Sequence, residues 1–105
     1  MGAEVSESMT PEQFGGACIA TRTLLESHLG RAIAAGRDEA NPCSLRHLSW
    51  MLARATCFYI EERKEKANRW LGYVQGVMAA RDLATLEELK RANMPPGEAY
   101  DASKV

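Results

Sequence analysis

The chain has 105 residues, of which 46% are apolar and 26% are charged, a composition typical of one small folded domain. Thirteen Lys and Arg residues against fourteen Asp and Glu residues give a net charge of −1, which argues against a dedicated polyanion-binding domain. The three cysteines have no CxxC spacing, and there is neither a long apolar run nor a signal-peptide pattern. We therefore expect a cytoplasmic protein that does not enter a membrane.

The first predicted helix begins at a capping box. Thr10 is a good N-cap, Pro11 suits the first helical position, and Gln13 can complete the box. Apolar residues follow helical spacing from Phe14 onward. Gly36 is the predicted end of this helix, which leaves a glycine at position 30 inside its last turns.

The second helix is predicted to begin near Asn41-Pro42 or at Ser44, because apolar residues then recur at heptad-like spacing. Two alternatives follow for the charged segment after it. Either a turn near residues 63–66 interrupts the helix, or one helix continues over residues 45–80. An unbroken helix of that length would span about 54 Å, which is long for a small domain. We predict the interruption.

A third helix is predicted over residues 67–81, and a short fourth helix should begin at Thr85, where a second capping box stands. No segment alternates with a period of two over the length of a strand. The predicted fold class is all-α, a compact bundle of about four helices. The bundle is expected to form a single domain over residues 10–96, between disordered tails at residues 1–9 and 97–105.

The third predicted helix has two contrasting faces. One face is apolar and includes Trp70, and the other carries only small residues: Gly72, Gly76, Ala79 and Ala80. Glycines four residues apart weaken a helix, and close approach of another backbone commonly compensates for this. The pattern therefore predicts a helix packed on both sides. It is either central in the monomer or the seam of a homodimer.

The second predicted helix carries a stripe outside its core face, and Trp50 and Arg54 belong to that stripe together with Cys57 and Glu61. Trp and Arg are enriched where protein partners dock. We therefore predict a partner-binding surface at Trp50 and Arg54, extended by Arg69 and Tyr73. The alternative is that the first helix, the fourth helix or a tail covers the tryptophan.

The candidate catalytic and metal-binding residues are few. Cys43 and His47 lie four residues apart near a helix start, but no nucleophile motif surrounds them. Zinc would need about four ligands, and Cys43, His47, Cys57 and His28 lack the paired spacings of structural sites. Phosphate-binding glycine loops are absent from the sequence. We expect a protein without catalysis, metal or cofactor.

Nucleic acid is a minor alternative partner. Several cations could form a basic rim near Trp50 and provide phosphate contacts beside a stacking ring. The members of this rim would be Arg46, Arg54, Arg63, Lys64, Lys66 and Arg69, and Glu61, Glu62 and Glu65 interrupt it. Basic runs mixed with acidic residues are usually solvated faces.

Three blocks of the chain are distinctive. They read His47-Leu48-Ser49-Trp50-Met51, then Arg69-Trp70-Leu71-Gly72-Tyr73-Val74-Gln75-Gly76, then Leu86-Glu87-Glu88-Leu89-Lys90-Arg91-Ala92-Asn93. In these blocks the chain resembles small proteins encoded in bacteriophages and prophages, which carry H-L-x-W-M, R-W-L-G-[FY]-[VIL]-Q-G and E-x-L-[KR]-x-x-N patterns. The resemblance covers about half of the chain, and it implies no catalytic or ligand-binding residues.

The resemblance implies a context in the cytoplasm of a host bacterial cell. Short phage accessory proteins of this kind are similar to anti-defence factors, including anti-CRISPR proteins, which bind and block a host complex. Our leading hypothesis is a protein-binding module that inhibits or redirects a host protein complex by steric masking. One alternative is a nucleic-acid-associated accessory protein. Another is a nucleotide-binding sponge at a dimer interface around Gly72 and Gly76.

Overall fold

The computed structural model describes residues 9–94, which form four α-helices. They are α1 (Pro11–Leu29), α2 (Leu45–Ile60), α3 (Lys64–Ala80) and α4 (Leu86–Ala92). No strand occurs in this range, so the predicted all-α bundle is confirmed. The most extensive contact is between α2 and α3, while α1 packs on α2 and also touches α4. None of these helices is both long enough and apolar enough to cross a membrane.

Side-chain caps set the beginnings of three helices. The Thr10 side chain accepts the Gln13 N–H at 3.1 Å, and the Gln13 side chain accepts the Thr10 N–H at 2.9 Å. Thr85 and Glu88 form the same pair of bonds at 3.1 and 2.8 Å. Ser44 caps α2 by accepting a backbone N–H at 3.2 Å. Each cap satisfies N–H groups that the helix itself leaves unpaired, and the predicted helix starts at these positions are confirmed.

The predicted end of the first helix at Gly36 is wrong. The helix ends at Leu29, because Gly30 adopts the left-handed conformation at φ 71° and reverses the chain. Gly36 has another role. Its N–H donates to the carbonyl of Arg46 at 3.1 Å, and a Cβ at this position would collide with the Arg46 side chain. The hydrogen bond holds the loop close against the start of α2, and a side chain at position 36 would only require the flexible Arg46 guanidinium to move.

The loop after α1 is fastened to that helix by Glu26. Its carboxylate accepts the backbone N–H of Ile33 at 3.0 Å and the Nε–H of Arg22 at 3.3 Å. Arg22 in turn donates to the Ile33 carbonyl at 3.2 Å. The bond from Ile33, followed by the pairing with Arg22, holds the pKa of Glu26 below its ordinary value of 4.5.

This carboxylate is expected to give a stability contribution that depends on pH. Because the pKa of Glu26 is lower in the folded chain, the contribution is complete above the unfolded pKa and disappears as the pH falls through the folded value. The free energy of unfolding should therefore differ most between the wild type and Glu26→Gln at neutral pH, and the difference should shrink towards pH 3. Urea unfolding at both pH values measures it, and an equal difference at both would contradict the assignment.

The predicted interruption between the second and third helices is confirmed, but it lies slightly earlier in the chain than the predicted residues 63–66. α2 ends at Ile60 and α3 begins at Lys64, where the sequence predicted residue 67. Glu62 adopts a left-handed conformation at φ 64°, and the N–H of Arg63 donates to the carbonyl of Phe58 at 2.8 Å. The alternative of one continuous helix is therefore wrong.

The centre of the core lies between α1 and α2. The rings of Phe14 and Tyr59 stack at 4.3 Å with an interplanar angle of 11°, and neither side chain is exposed. The Tyr59 hydroxyl donates to the carbonyl of Met9 at 2.7 Å, and Met9 is itself 7% exposed. The assignment of Met9 to a tail is therefore wrong, because this bond holds its backbone against the core. Residues 1–8 and 97–105 of the predicted tails lie outside the described residues.

A polar network connects α1, α3 and the end of α4. The Gln75 side chain donates to Thr21 Oγ1 at 2.9 Å and to Asn93 Oδ1 at 2.8 Å. Asn93 returns a bond to Gln75 Oε1 at 3.0 Å, and the Thr21 hydroxyl donates to the Ala17 carbonyl at 2.7 Å. Gln75 and Asn93 both belong to the distinctive sequence blocks. Their side chains therefore have a structural role in holding the bundle together.

The small-residue face of α3 is on the surface. Gly72, Gly76, Ala79 and Ala80 are all exposed, and a Cβ added at either glycine would meet nothing within 4 Å. The prediction that this helix is central in the monomer is wrong. The reason is that the other helices cover only its apolar face, where Val74 and Met78 are fully buried. The homodimer seam stays a prediction.

Candidate functional site

An open cleft of about 390 Å³ lies where the loop before α2 meets α2 and α3. We call it the aromatic cleft, and its lining residues are Arg37, Glu39, Pro42, His47, Trp50, Met51, Trp70 and Tyr73. Trp50 and Trp70 are half-buried, and Tyr73 is 40% exposed. The cleft therefore presents large ring surfaces that the fold positions but does not fully cover.

Ring contacts hold the walls of the cleft in place. The centroids of His47 and Trp50 are 5.2 Å apart, and those of Trp50 and Trp70 are 5.6 Å apart with a tilt of 46°. Phe58 supports Trp70 edge-on at 4.9 Å. Tilted and edge-on pairs at these separations are favourable for aromatic rings. The row of rings joins α2 to α3, so the two helices fix its geometry together.

Hydrogen bonds orient the polar groups of the cleft. His47 Nδ1 accepts the backbone N–H of Asp38 at 2.9 Å, so the neutral ring carries its proton on Nε2. The Nε2–H of that tautomer is the second polar group of the ring and can donate to a ligand. The Tyr73 oxygen lies 3.4 Å from the carbonyl of Pro42 and 3.5 Å from Cys43 Sγ. The hydrogen bond with Cys43, together with burial, raises the pKa of Tyr73, so the hydroxyl stays protonated at neutral pH.

The loop side of the cleft is also tied down. The Arg37 guanidinium lies 5.7 Å from the Trp50 ring centroid, within the range of a cation–π contact, and pairs with Glu39 at 2.9 Å. Arg81 at the end of α3 donates to the carbonyl of Cys43 at 2.7 Å. These contacts fasten the loop to both helices, and the cleft needs no rearrangement to present its rings.

Two of the four predicted partner-binding residues lie in the aromatic cleft, and two lie outside its lining. Trp50 and Tyr73 both line the aromatic cleft. Arg54 and Arg69 do not line it, since Arg54 lies over Phe58 at 5.1 Å and Arg69 lies 3.8 Å from Glu65. The partial cover over Trp50 comes from the ring of Trp70 in α3 and from the Arg37 side chain.

Sequence reasoning identified only two of the eight residues that line the cleft. Trp70 was expected only on the apolar face of the third helix. His47 was considered only as a catalytic partner of Cys43 or as a zinc ligand. The available signal was that both residues fall in the same distinctive blocks as Trp50 and Tyr73. Arg37 and Pro42 belong to an irregular loop, and no periodic pattern could place them beside α3.

Cys43 and His47 are not partners in the structure. Cys43 contacts Tyr73, and the Nδ1 atom of His47 is engaged by Asp38. Cys18 is buried, and burial raises the pKa of its thiol. Within residues 9–94, no three His, Cys, Asp or Glu side chains are grouped so that they could hold a metal ion.

Three cations gather at the end of α2 and the start of α3. The charged groups of Arg54, Arg63 and Lys66 lie 5.1, 5.1 and 4.5 Å from the ring centroid of Phe58. Lys66 also lies 5.5 Å from the Trp70 centroid. We call these three residues the basic cluster. The cluster adjoins the aromatic cleft, because Trp70 contacts both.

A second depression of about 440 Å³ lies between α1 and α4, and its lining is mostly apolar. It is bounded by Ala20, Thr23, Leu24, Glu88, Arg91 and Ala92. None of the predicted site residues borders it. The rings, donors and cations described above therefore lie at the cleft and the basic cluster and not at this depression.

A comparison of the chain with models of protein families, with curated proteins and with solved structures finds no match.

Proposed function

We propose that this chain is a small phage-type protein-binding module. It binds a host protein complex, for which a defence system is one candidate, and inhibits or redirects that complex by masking part of its surface, without catalysis. The observation that carries the proposal is the aromatic cleft, where Trp50, Trp70 and Tyr73 are presented together. Trp, Tyr and Arg dominate the residues that contribute most binding energy at protein interfaces.

The geometry of the cleft suits a docking role. Its rings are held by tilted ring contacts and its loop by hydrogen bonds, so that few side chains need to be ordered on binding. A volume of about 390 Å³ is enough for one or two apolar side chains of a partner. The Nε2–H of His47 and the Tyr73 hydroxyl offer polar contacts at the edge of that apolar space. Such a mixture of rings and a few fixed donors is typical of a binding site.

The host complex as partner rests on the resemblance to phage-encoded proteins. Masking also fits the size of the chain, because a standard interface buries about 800 Å² on each partner. A surface of that extent would include the whole aromatic cleft and the adjoining basic cluster. We infer a single docking face formed by α2, α3 and the loop before α2.

Tyr73→Ala tests this face without disturbing the core, since Tyr73 is 40% exposed. The variant is expected to retain its unfolding temperature within a few degrees and to capture the bacterial partner about tenfold less well, as loss of about 1.4 kcal/mol implies. Ile19→Ala is the matched control, because Ile19 is 68% exposed on α1 and lies outside the cleft. Equal capture by the wild type and both variants would remove the cleft from the proposal.

A second candidate function is a nucleic-acid-associated accessory role, and the basic cluster favours it. Cations beside aromatic rings are typical of surfaces that bind single strands. Release of counterions would then make binding fall steeply with added salt. A salt titration with a single-stranded oligonucleotide distinguishes this role from docking in the aromatic cleft, whose apolar contacts are weakly sensitive to salt.

A further inference from the structure

The basic cluster has no anionic partner of its own. The charged groups of Arg54, Arg63 and Lys66 surround one ring and lie within about 10 Å of one another. None of the three forms an ion pair with a carboxylate in the described part of the chain. Like charges at this separation repel one another, so the fold holds together three cations that a suitable anion would stabilise.

We propose that the basic cluster binds an acidic segment of a protein partner, one that presents at least two carboxylates within about 10 Å of each other. This inference rests on the proposed function and names the chemistry of the partner. Each arginine can take a carboxylate with two parallel hydrogen bonds, while Lys66 supplies a point charge between the two rings that it contacts. The three side chains therefore match a short acidic stretch better than a single carboxylate.

The surroundings favour a short acidic peptide over a nucleic acid strand. Phe58 is only 4% exposed, and its ring is surrounded by the three cations, so that no base can stack on it. Glu61 and Glu62 are exposed next to the cluster and repel carboxylates and phosphates alike, so they limit the positive surface to a short stretch that an extended row of phosphates would overrun. A strand of nucleic acid needs a longer continuous basic track. A compact pair of carboxylates needs only these three cations.

The cluster is continuous with the aromatic cleft, which defines the kind of segment that fits. Lys66 contacts both Phe58 and Trp70, and Trp70 is a wall of the cleft. A partner segment whose apolar side chain enters the cleft would place its neighbouring residues over the cations. The favoured ligand is therefore an apolar residue flanked by Asp or Glu.

The test measures the binding of a fluorescein-labelled hexaglutamate peptide by anisotropy at low ionic strength. The test variant is the double substitution Arg63→Gln and Lys66→Gln. The control is Arg31→Gln with Lys90→Gln, which changes the net charge by the same amount outside the cluster. Because Arg63 is exposed and Lys66 half-buried, the test variant is expected to fold, and its circular dichroism verifies that.

The cluster variant is expected to bind the peptide about tenfold more weakly than the wild type, while the control loses less than threefold. A further variant, Glu61→Gln, removes a repulsive charge and should bind about twofold more tightly. Equal losses of peptide affinity in the cluster variant and the control would show that binding depends only on the net charge of the protein, and this would overturn the proposal. An unlabelled hexathymidylate strand that competes more strongly than unlabelled hexaglutamate would overturn it in favour of nucleic acid.

The outcomes separate this inference from the proposed function. Suppose that the cluster variant and the wild type bind the peptide with equal affinity, while capture of the bacterial partner still depends on Tyr73. The proposal of an acidic partner segment is then wrong, and the docking function stands. If binding of the peptide depends on the cluster but capture of the bacterial partner does not depend on Tyr73, the proposed site for an acidic segment stands and the docking role of the cleft is wrong.

Discussion

Replacement of Phe14 with Ala is expected to lower the free energy of unfolding by about 3–5 kcal/mol, the usual cost of removing a buried aromatic ring from a core. Phe14 has no exposed surface, and its ring stacks on Tyr59 at 4.3 Å, where α1 packs on α2. The truncated side chain would leave a cavity beside the tyrosine ring. Chemical unfolding followed by circular dichroism measures the loss.

Tyr59→Phe is the control for that prediction. It keeps the stacked ring and removes only the hydroxyl that donates to the Met9 carbonyl at 2.7 Å. The expected loss is about 1 kcal/mol for the hydrogen bond, with a further contribution from the unpaired carbonyl. A loss below about 1 kcal/mol in Phe14→Ala, or a larger loss in Tyr59→Phe than in Phe14→Ala, would contradict the placement of the core centre at this pair.

Replacement of Trp50 with Ala is expected to weaken binding of the partner at least 30-fold, which corresponds to about 2 kcal/mol and to the loss of an interface hot spot. Trp50 lines the aromatic cleft between His47 and Trp70, so its removal opens the wall on which a partner side chain would rest. Binding to the captured and purified partner by calorimetry or surface plasmon resonance provides the measurement.

Whether Trp50→Ala still folds shows if the tryptophan serves docking or core packing. Trp50 is only half-buried, so Trp50→Ala should cost less stability than Phe14→Ala and leave the helical circular dichroism spectrum unchanged at 25 °C. Trp50→Phe keeps an aromatic wall and is expected to recover part of the affinity. If Trp50→Ala unfolds the chain, or if Trp50→Phe binds no better than Trp50→Ala in a folded state, the tryptophan is not a docking residue.

The helix starts could be predicted from the sequence because they depend on local chemistry. A hydroxyl at the N-cap and an amide or carboxylate three residues later are enough to define the beginnings of α1 and α4 at Thr10 and Thr85. The turn between α2 and α3 was predicted on length alone. Its physical cause, the left-handed backbone of Glu62, has no signature in a run of charged residues.

Features that depend on tertiary contacts were predicted less well. The sequence favoured Gly36 as the end of the first helix, whereas the helix ends before Gly30, whose left-handed backbone lets the Ile33 N–H reach back to the Glu26 carboxylate. The small face of α3 suggested a covered surface, but the other three helices do not surround α3, and its glycines stay exposed. A sequence pattern shows which face of a helix carries small residues, but it does not show what packs against that face.

The candidate site was predicted in part for the same reason. Trp50 and Tyr73 belong to helices whose faces can be derived from periodicity, and the structure brings them to one cleft. The basic rim was predicted as a broad band, and in the structure only Arg54, Arg63 and Lys66 converge on Phe58. Arg54 lies one helical turn before Phe58 on α2, and the turn after α2 brings Arg63 and Lys66 to the same ring. The loop that completes the cleft has no period from which its position could be derived.

The most direct measurement of the central claim is capture with the tagged chain from bacterial lysate that has been divided into nuclease-treated and untreated halves. The docking proposal predicts a stoichiometric protein partner that is retained after nuclease treatment and is lost with Trp50→Ala. Recovery of nucleic acid alone, or of proteins that disappear after nuclease treatment, would contradict the proposal and support the nucleic-acid-associated role.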